Sequence, residues 1–174
     1  SYPHCWRSKT PIIFRAVPQF FIAIDAFRKE ALEEIDTVEW LPNKNRNRIY
    51  GTVESRPDWC ISRQRTWGVP LPVFYQVDGN PIIDGDLARQ VAEILEKEGS
   101  NLWFEQDDSW WADKMNLPKE TSRCKDTLDV WIDSGSSHLA VCDRHPELSS
   151  PADLYLEATD QHRGWFQSSL MISM

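Results

Sequence analysis

One stretch near the C-terminal end constrains the fold of this chain more than any other. Leu154-Tyr155-Leu156 is a short apolar run, Glu157 to Arg163 is polar, and Trp165 to Met174 reads as a helix. The apolar run predicts a buried strand. A strand that gives way to polar residues and then to a helix is the repeating unit of an open α/β sheet. Such sheets take ligands beyond the carboxyl ends of their strands, beside helix N-termini. The stretch therefore predicts an α/β fold and a place for a site. Glu157, Asp160, Gln161, His162 and Arg163 supply acceptors, donors and charge there, and Trp165 an apolar wall. The same residues also suit a helix cap, with Thr159 or Asp160 as N-cap. Spacing alone leaves both readings open.

The rest of the chain sets the bounds. Its 174 residues allow one domain, or one and a small second one. The net charge of −8 argues against a dedicated nucleic-acid module, which would be basic, and leaves room for a local basic patch. No apolar run approaches the roughly 20 residues of a membrane span. Residues 1–10 are polar and aromatic, unlike a signal peptide. Cys5, Cys60, Cys124 and Cys142 are scattered, and read as reduced thiols of a cytoplasmic protein. The chain stops at Ser173-Met174 within a helical pattern that has no C-cap glycine, so it reads as a piece of a larger protein.

In chain order, Pro11 to Val17 predicts a strand, which Phe20 to Ile24 would continue after Pro18. Ala26 to Asp36 predicts a helix with Phe27, Ala31, Leu32 and Ile35 on one face and charges on the other. Asn43 to Ser55 predicts a second helix. Its Lys44, Arg46 and Arg48 fit either a solvated face or RNA phosphate. Residues 56–68 place Arg63 and Arg65 around Gln64, between Trp59 and Trp67. That pattern suits a nucleic-acid end or a phosphate, and equally a buried arginine–carboxylate lattice. Val73 to Val77 and Pro81 to Ile83 flank the turn Asp78-Gly79-Asn80 and predict a hairpin. Asp84 to Gly99 predicts an amphipathic helix stopped by Gly99, and the clusters Leu102-Trp103-Phe104 and Trp110-Trp111 predict core. Leu128 to Asp133 alternates and predicts a strand from which Trp131 projects on the far side, followed by a helix from His138 to Cys142.

Four blocks carry a family resemblance. Tyr155 to Phe166 resembles the Y-L-E-G-S-D-Q-H-R-G-W-F sequence of bacterial isoleucyl-tRNA synthetases, which are class I enzymes. Arg56-Pro57-Asp58-Trp59-Cys60-Ile61-Ser62-Arg63-Gln64-Arg65-Thr66-Trp67-Gly68 is similar to another block of that family. So are Asp126 to Gly135 and Tyr2-Pro3-His4-Cys5-Trp6-Arg7 with Lys9-Thr10-Pro11. The blocks stand in the family's order and span nearly the whole chain. Valyl-tRNA synthetases share the W-C-I-S-R-Q-type block but lack D-Q-H-R-G-W, which is complete here from Asp160 to Trp165. A third reading is a non-catalytic module, derived from a synthetase, that binds tRNA or protein. The missing ATP motifs point towards it, and the uncapped C-terminus points away.

The resemblance implies a fold and roles. The fold would be the second part of a Rossmann-type nucleotide-binding domain with a small inserted module. Residues 1–68 would lead from an editing domain into the catalytic core, 69–125 would be the α/β insert, and 126–174 the second half of the catalytic domain. Asp160 would hold a ribose hydroxyl of the aminoacyl-adenylate, Glu157 would line the adenylate pocket, and Gln161 would hold the polar end of the amino acid or adenylate. Trp131 and Trp165 would wall the branched side chain. No residue is assigned as catalytic. Isoleucine, ATP with magnesium, and tRNA(Ile) would be the partners of the parent enzyme, a cytoplasmic monomer without membrane contact. H-I-G-H-like and K-M-S-K-S-like ATP motifs are absent, so the piece alone would not activate isoleucine. Ala158 and Thr159 stand where the family has glycine and serine. Ser8 stands where many relatives have the second cysteine of a C-x-x-C zinc half-site. His4, Cys5 and Cys124 remain, so no zinc is expected.

Overall fold

The computed structural model describes residues 2–174. Its helices follow the sequence pattern closely. Helix α1 spans Arg28–Ile35 and α2 spans Lys44–Glu54. They bury Ala31, Ile35, Ile49 and Val53 against one another and leave their charged residues in water. Helix α3 (Gly85–Glu98) starts where the Asp84 carboxylate accepts the N–H groups of Asp86 and Leu87 at 2.7 and 3.1 Å. It ends at Gly99, whose φ of 89° suits a residue without a side chain. Helix α4 (Leu102–Glu105) and helix α5 (Asp108–Lys114) follow, and the Asp107 carboxylate caps α5 by accepting from Trp110 N at 2.7 Å.

Strands are short and every pairing is antiparallel. β1 (Phe21–Ile22) pairs with β2 (Trp59–Cys60), and β3 (Ser62–Arg63) pairs with a later strand, Thr127–Leu128. The expected hairpin forms from β4 (Phe74–Tyr75) and β5 (Pro81–Ile82), and β6 (Ser122–Arg123) lies on the other side of β4. The strand at Thr127–Leu128 is β7. Helices α6 (Val130–Gly135) and α7 (Trp165–Ser173) complete the regular elements, with a π-helical turn over His138–Cys142 between them.

Three expected strands are corrected. Leu154 to Leu156 forms none. Leu154 and Leu156 are 71% and 80% exposed, and only Tyr155 packs inward, on Trp165. An apolar run becomes a strand only when a neighbour takes its backbone hydrogen bonds, and no described strand pairs with this run. Residues 12–17 form none either, for the same reason, and Pro11 makes only a single bridge to His4. Of Phe20 to Ile24, only Phe21 and Ile22 pair. The Leu128 to Asp133 strand stops after Leu128, because the Asp129 carboxylate accepts from Trp131 N and turns the chain into α6.

Two large cores result. The first joins α1, α2, β2 and α7 around Ile24, Ile35, Ile49, Val53, Trp59 and Met171, so it draws on residues both before 69 and after 125. The second lies within residues 74–117. There Trp103 meets Phe74 at 5.4 Å and Trp111 at 4.8 Å between ring centres, with Val91 of α3 beside them. Leu71, Val73 and Cys124 form a small third cluster together with Phe20, Ile61 and Leu128.

Helices α6 and α7 touch backbone to backbone. A Cβ on Gly135 would lie 2.8 Å from the carbonyl carbon and oxygen of Ser168 and 2.6 Å from Cδ1 of Ile172. Gly135→Ala should therefore force the helices apart and cost about 1–3 kcal/mol, the usual range for overpacking. Denaturant unfolding measures this, and an unchanged midpoint would mean that the two helices are not held this close in solution.

Candidate functional site

The site is built around one carboxylate. Asp129 is 5% exposed, and its Oδ2 accepts from Trp59 Nε1 and from Arg63 Nη2, both at 2.8 Å. Its Oδ1 accepts from Trp131 N at 3.3 Å, and its backbone N–H donates to Ile61 O at 2.7 Å. One side chain thus ties the arginine–tryptophan stretch of β2 and β3 to the start of α6. Arg63 also donates through Nη1 to the carbonyls of Cys60 and Ser62, each at 2.8 Å. This decides between the two readings of Arg63, which belongs to an arginine–carboxylate lattice. Gln64 extends the lattice by donating to Asp126 at 2.9 Å. Arg65 is exposed and has no hydrogen-bond or ion-pair partner among the described residues.

Both tryptophans singled out in the sequence flank the seam between α6 and α7. Trp131 lies over Gly164, where a Cβ would come within 3.0 Å of its ring. It is 40% exposed. Trp165 is fixed from three sides. Its Nε1 donates to Ser134 O at 2.8 Å and to Ser137 Oγ at 3.1 Å, and Tyr155 stacks on its ring with centres 4.6 Å apart.

The polar residues form a 3-10 turn, Thr159–Arg163, directly before α7. Its cap is neither Thr159 nor Asp160. Gln161 Oε1 accepts from Trp165 N, the first N–H of α7, at 2.9 Å. Gln161 Nε2 in turn donates to Asp160 Oδ2 at 3.2 Å. Asp160 and Glu157 are otherwise exposed, and Glu157 accepts only from the neighbouring Ala158 N.

A cavity of about 260 Å³ opens beside this turn. Its wall includes Trp131, Gly164, Arg163, Arg56, Trp59 and Asp129. Of the five residues expected at the site, Trp131 lines it, and Glu157, Asp160, Gln161 and Trp165 do not. The sequence reading missed Asp129, Arg56, Gln167 and Ser168. Asp129 had a visible signal, an aspartate just before a helix, which the alternation of Leu128 to Asp133 masked. Arg56 stacks over Trp59 at 5.1 Å and hydrogen-bonds Gln167 through Nη1, while its Nε is buried without a partner. Burial lowers the pKa of this guanidinium, and the charge of Asp129 opposes that shift. A second cavity of about 520 Å³ lies on the other side of Asp129, among Arg63, Arg65, Trp67, Phe104 and Asp133.

The cysteines do not gather. Cys5 sits in a tight turn, where its N–H donates to Thr10 O and its carbonyl accepts from Lys9 N, both at 2.9 Å. The Ser8 hydroxyl, followed by the Ser8 and Arg7 N–H groups, lowers the pKa of its thiol. Cys124 is buried under the Tyr75 hydroxyl, and burial raises its thiol pKa. Among the described residues no three His, Cys, Asp or Glu side chains are placed to hold a metal. No described helix is long and apolar enough to cross a membrane.

Comparison with known proteins places the chain in a family. Residues 7–174 match the family model "tRNA synthetases class I (I, L, M and V)", and the chain belongs to that family. Within it, the chain is 57% identical to an isoleucine–tRNA ligase of Methylacidiphilum infernorum over 175 residues, 99% of this chain and 19% of the relative. It is 51% identical to the isoleucine–tRNA ligase of Lacticaseibacillus casei over 179 residues, with 100% and 19% covered. With that of Moorella thermoacetica it shares 53% over 179 residues, with 97% and 19% covered. The chain thus spans about a fifth of the length of these relatives.

The Asp129 lattice should be the most sensitive polar element. Asp129→Ala removes the acceptor of Arg63 and Trp59 and the cap of α6. Hydrogen bonds to charged groups contribute roughly 1.5–3 kcal/mol each. Arg63 keeps some water, with its side chain 35% exposed, which argues for a total near the low end, about 2–3 kcal/mol. Urea unfolding of the variant checks this, and a loss below about 1 kcal/mol would show that the lattice is dispensable.

Proposed function

We propose that this chain is the stretch of an isoleucine–tRNA ligase that carries part of its isoleucine and adenylate pocket. One observation carries the reading: relatives named isoleucine–tRNA ligase match along the chain's whole length at more than half of its positions. The parent enzyme would join isoleucine to ATP. The carboxylate of isoleucine attacks the α-phosphorus, and pyrophosphate leaves with the electron pair of the broken P–O bond. A ribose hydroxyl at the 3′ end of tRNA(Ile) then attacks the acyl carbon and releases AMP. Such steps need orientation and stabilisation of charge more than a proton-transfer residue.

The residues take the following roles under this reading. Asp160 accepts from a ribose hydroxyl of the adenylate. Glu157 lines the adenylate side, and Gln161 holds the polar end of the amino acid or adenylate. The exposure of Asp160, in the turn, and of Glu157, just before it, supports this, since a carboxylate awaiting a ligand has no internal cation. Trp131 and Trp165 wall the branched side chain. An apolar wall separates isoleucine from valine by one methylene, only about 1–3 kcal/mol, so errors would be edited elsewhere in the enzyme. Magnesium would accompany ATP. The parent would be a cytoplasmic monomer, and its tRNA contacts would lie partly outside this stretch.

The same reading sets the architecture. Residues 1–68 lead into the catalytic core, 69–125 are an α/β insert, and 126–174 belong to the second half of a Rossmann-type domain. The separate aromatic core within residues 74–117 supports the insert. The exposed Leu154 and Leu156 are apolar surface that the rest of such a domain would cover.

Two measurements test the proposal. In the full-length enzyme, Asp160→Ala removes an acceptor from the ribose, so isoleucine-dependent pyrophosphate exchange should fall roughly ten- to a hundredfold. Trp165→Ala should mainly raise the isoleucine requirement of the folded fraction. Normal exchange kinetics in a destabilised Asp160→Ala enzyme would sink the site and leave only the fold. Separately, with Ser8 in place of a ligand, Cys5 should hold no zinc, and stoichiometric zinc in a chelator-washed sample would refute this.

A further inference from the structure

We infer that His162 is a positioning residue for activation: its imidazole fixes the turn that presents Asp160 and Gln161, and does so from inside the protein. The inference rests on the proposed adenylate pocket.

His162 is 1% exposed, although it sits in the middle of the polar turn. Its ring lies between Trp40, at 6.2 Å, and Phe166, at 5.6 Å and edge-on. Nδ1 stands 2.6 Å from the carbonyl oxygen of Thr159. A carbonyl can only accept, so Nδ1 carries the proton of that bond. Nε2 is buried and has no partner among the described residues. A polar atom left unpaired inside a core costs free energy. A leucine or phenylalanine would fill the same space without that cost. The imidazole therefore needs a reason to be here, and the bond from Nδ1 to Thr159 supplies it.

That bond bears on the site. Thr159 immediately precedes Asp160. The 3-10 helix ties its ends through Gln161 N to Ala158 O and Gly164 N to Gln161 O, both at 3.0 Å, and its i→i+3 pattern places the His162 N–H on the Thr159 carbonyl. The imidazole adds a second, side-chain donor to that carbonyl. Among the described residues the Asp160 carboxylate meets only the Gln161 amide of the same turn. The one internal side-chain anchor of the Thr159–Asp160 peptide is thus His162. The anchor is itself tied down, since the Thr52 hydroxyl of α2 shares its proton between Ile49 O at 2.8 Å and His162 O at 3.3 Å. The turn is pinned to the α1–α2 layer on its inner side and left free of protein partners on its outer side.

The nitrogen-specific claim gives a test. In the full-length enzyme, His162→Asn places an amide near Nδ1 and can still donate to Thr159 O. His162→Gln places it near Nε2 and cannot, and His162→Leu has no donor. Pyrophosphate exchange is measured with ATP and isoleucine varied separately, and melting temperatures are taken alongside. His162→Asn should stay within roughly threefold of wild type in kcat/KM for ATP, while His162→Gln and His162→Leu should fall roughly tenfold or more. The loss should appear in kcat/KM for both ATP and isoleucine, since the one turn carries Asp160 and Gln161, and the Asn and Gln variants should melt alike. Equal kinetics for Asn and Gln, or a loss that merely follows melting temperature, would overturn the role. If His162→Leu does not fold, the Asn and Gln pair still decides. Wild-type kinetics in His162→Gln beside an impaired Asp160→Ala would remove the positioning role and leave the pocket. Wild-type kinetics in Asp160→Ala would remove the pocket itself.

Discussion

The ion pair between the buried Asp129 and the partly exposed Arg63 is the interaction on which the remaining geometry depends. A carboxylate out of water is costly unless its lone pairs are met by good donors. Here three donors meet them: a guanidinium, an indole N–H and the Trp131 N–H of α6. The first two come from β2 and β3 and the third from a later part of the chain. The pair consequently fixes where β3 runs, how the Trp59 ring faces, and at which residue α6 begins. Trp131 is the second residue of α6, so the wall of the smaller cavity takes its position from this carboxylate.

From α6 the constraint passes to α7 through close packing. Gly135 on one helix and the buried Ser168 and Ser169 on the other permit backbone contact. Trp165 then closes the end of the seam by donating to the Ser134 carbonyl. The turn from Thr159 to Arg163 hangs between this seam and α2. Its polar residues are divided by side. Gln161 and His162 spend hydrogen bonds on the protein, while Glu157 and Asp160 remain towards solvent.

Much of this was legible in the sequence, and the failures share one cause. The helices of residues 26–55 and 84–99 form within a residue or two of the pattern, because their amphipathic stripes and caps are local signals. The hairpin around Asp78-Gly79-Asn80 is local too. The strands expected at residues 11–17 and 154–156 depended on a partner that periodicity cannot reveal. At Leu128 to Asp133 two local signals competed, alternation and an aspartate cap, and the cap won directly after Leu128. For the candidate site, the sequence pointed to the Thr159–Arg163 turn and to two tryptophans, of which Trp131 lines the smaller cavity and Trp165 does not. It did not find Asp129 or Arg56, whose importance lies in contacts across more than sixty positions of chain, as from Asp129 to Arg63 and Trp59. Nor could it show that Gln161 caps α7, since a cap four residues before the first helical N–H follows no simple spacing rule.

The position of His162 makes sense of an otherwise awkward feature, a polar residue in a core that also buries Ile35, Ile49 and Phe166. A turn that must hold charged groups towards a ligand cannot gain rigidity from those groups without satisfying them internally, and a satisfied carboxylate is a weaker acceptor for a ligand. Rigidity has to come from the opposite side of the backbone. An imidazole suits that task, because it packs as an aromatic ring against Trp40 and Phe166 while giving one directed N–H to the Thr159 carbonyl. The orphaned Nε2 is then the residual cost of using an imidazole for a single bond, accepted because an apolar side chain of the same volume would pack as well but leave the Thr159 carbonyl with its backbone donor alone.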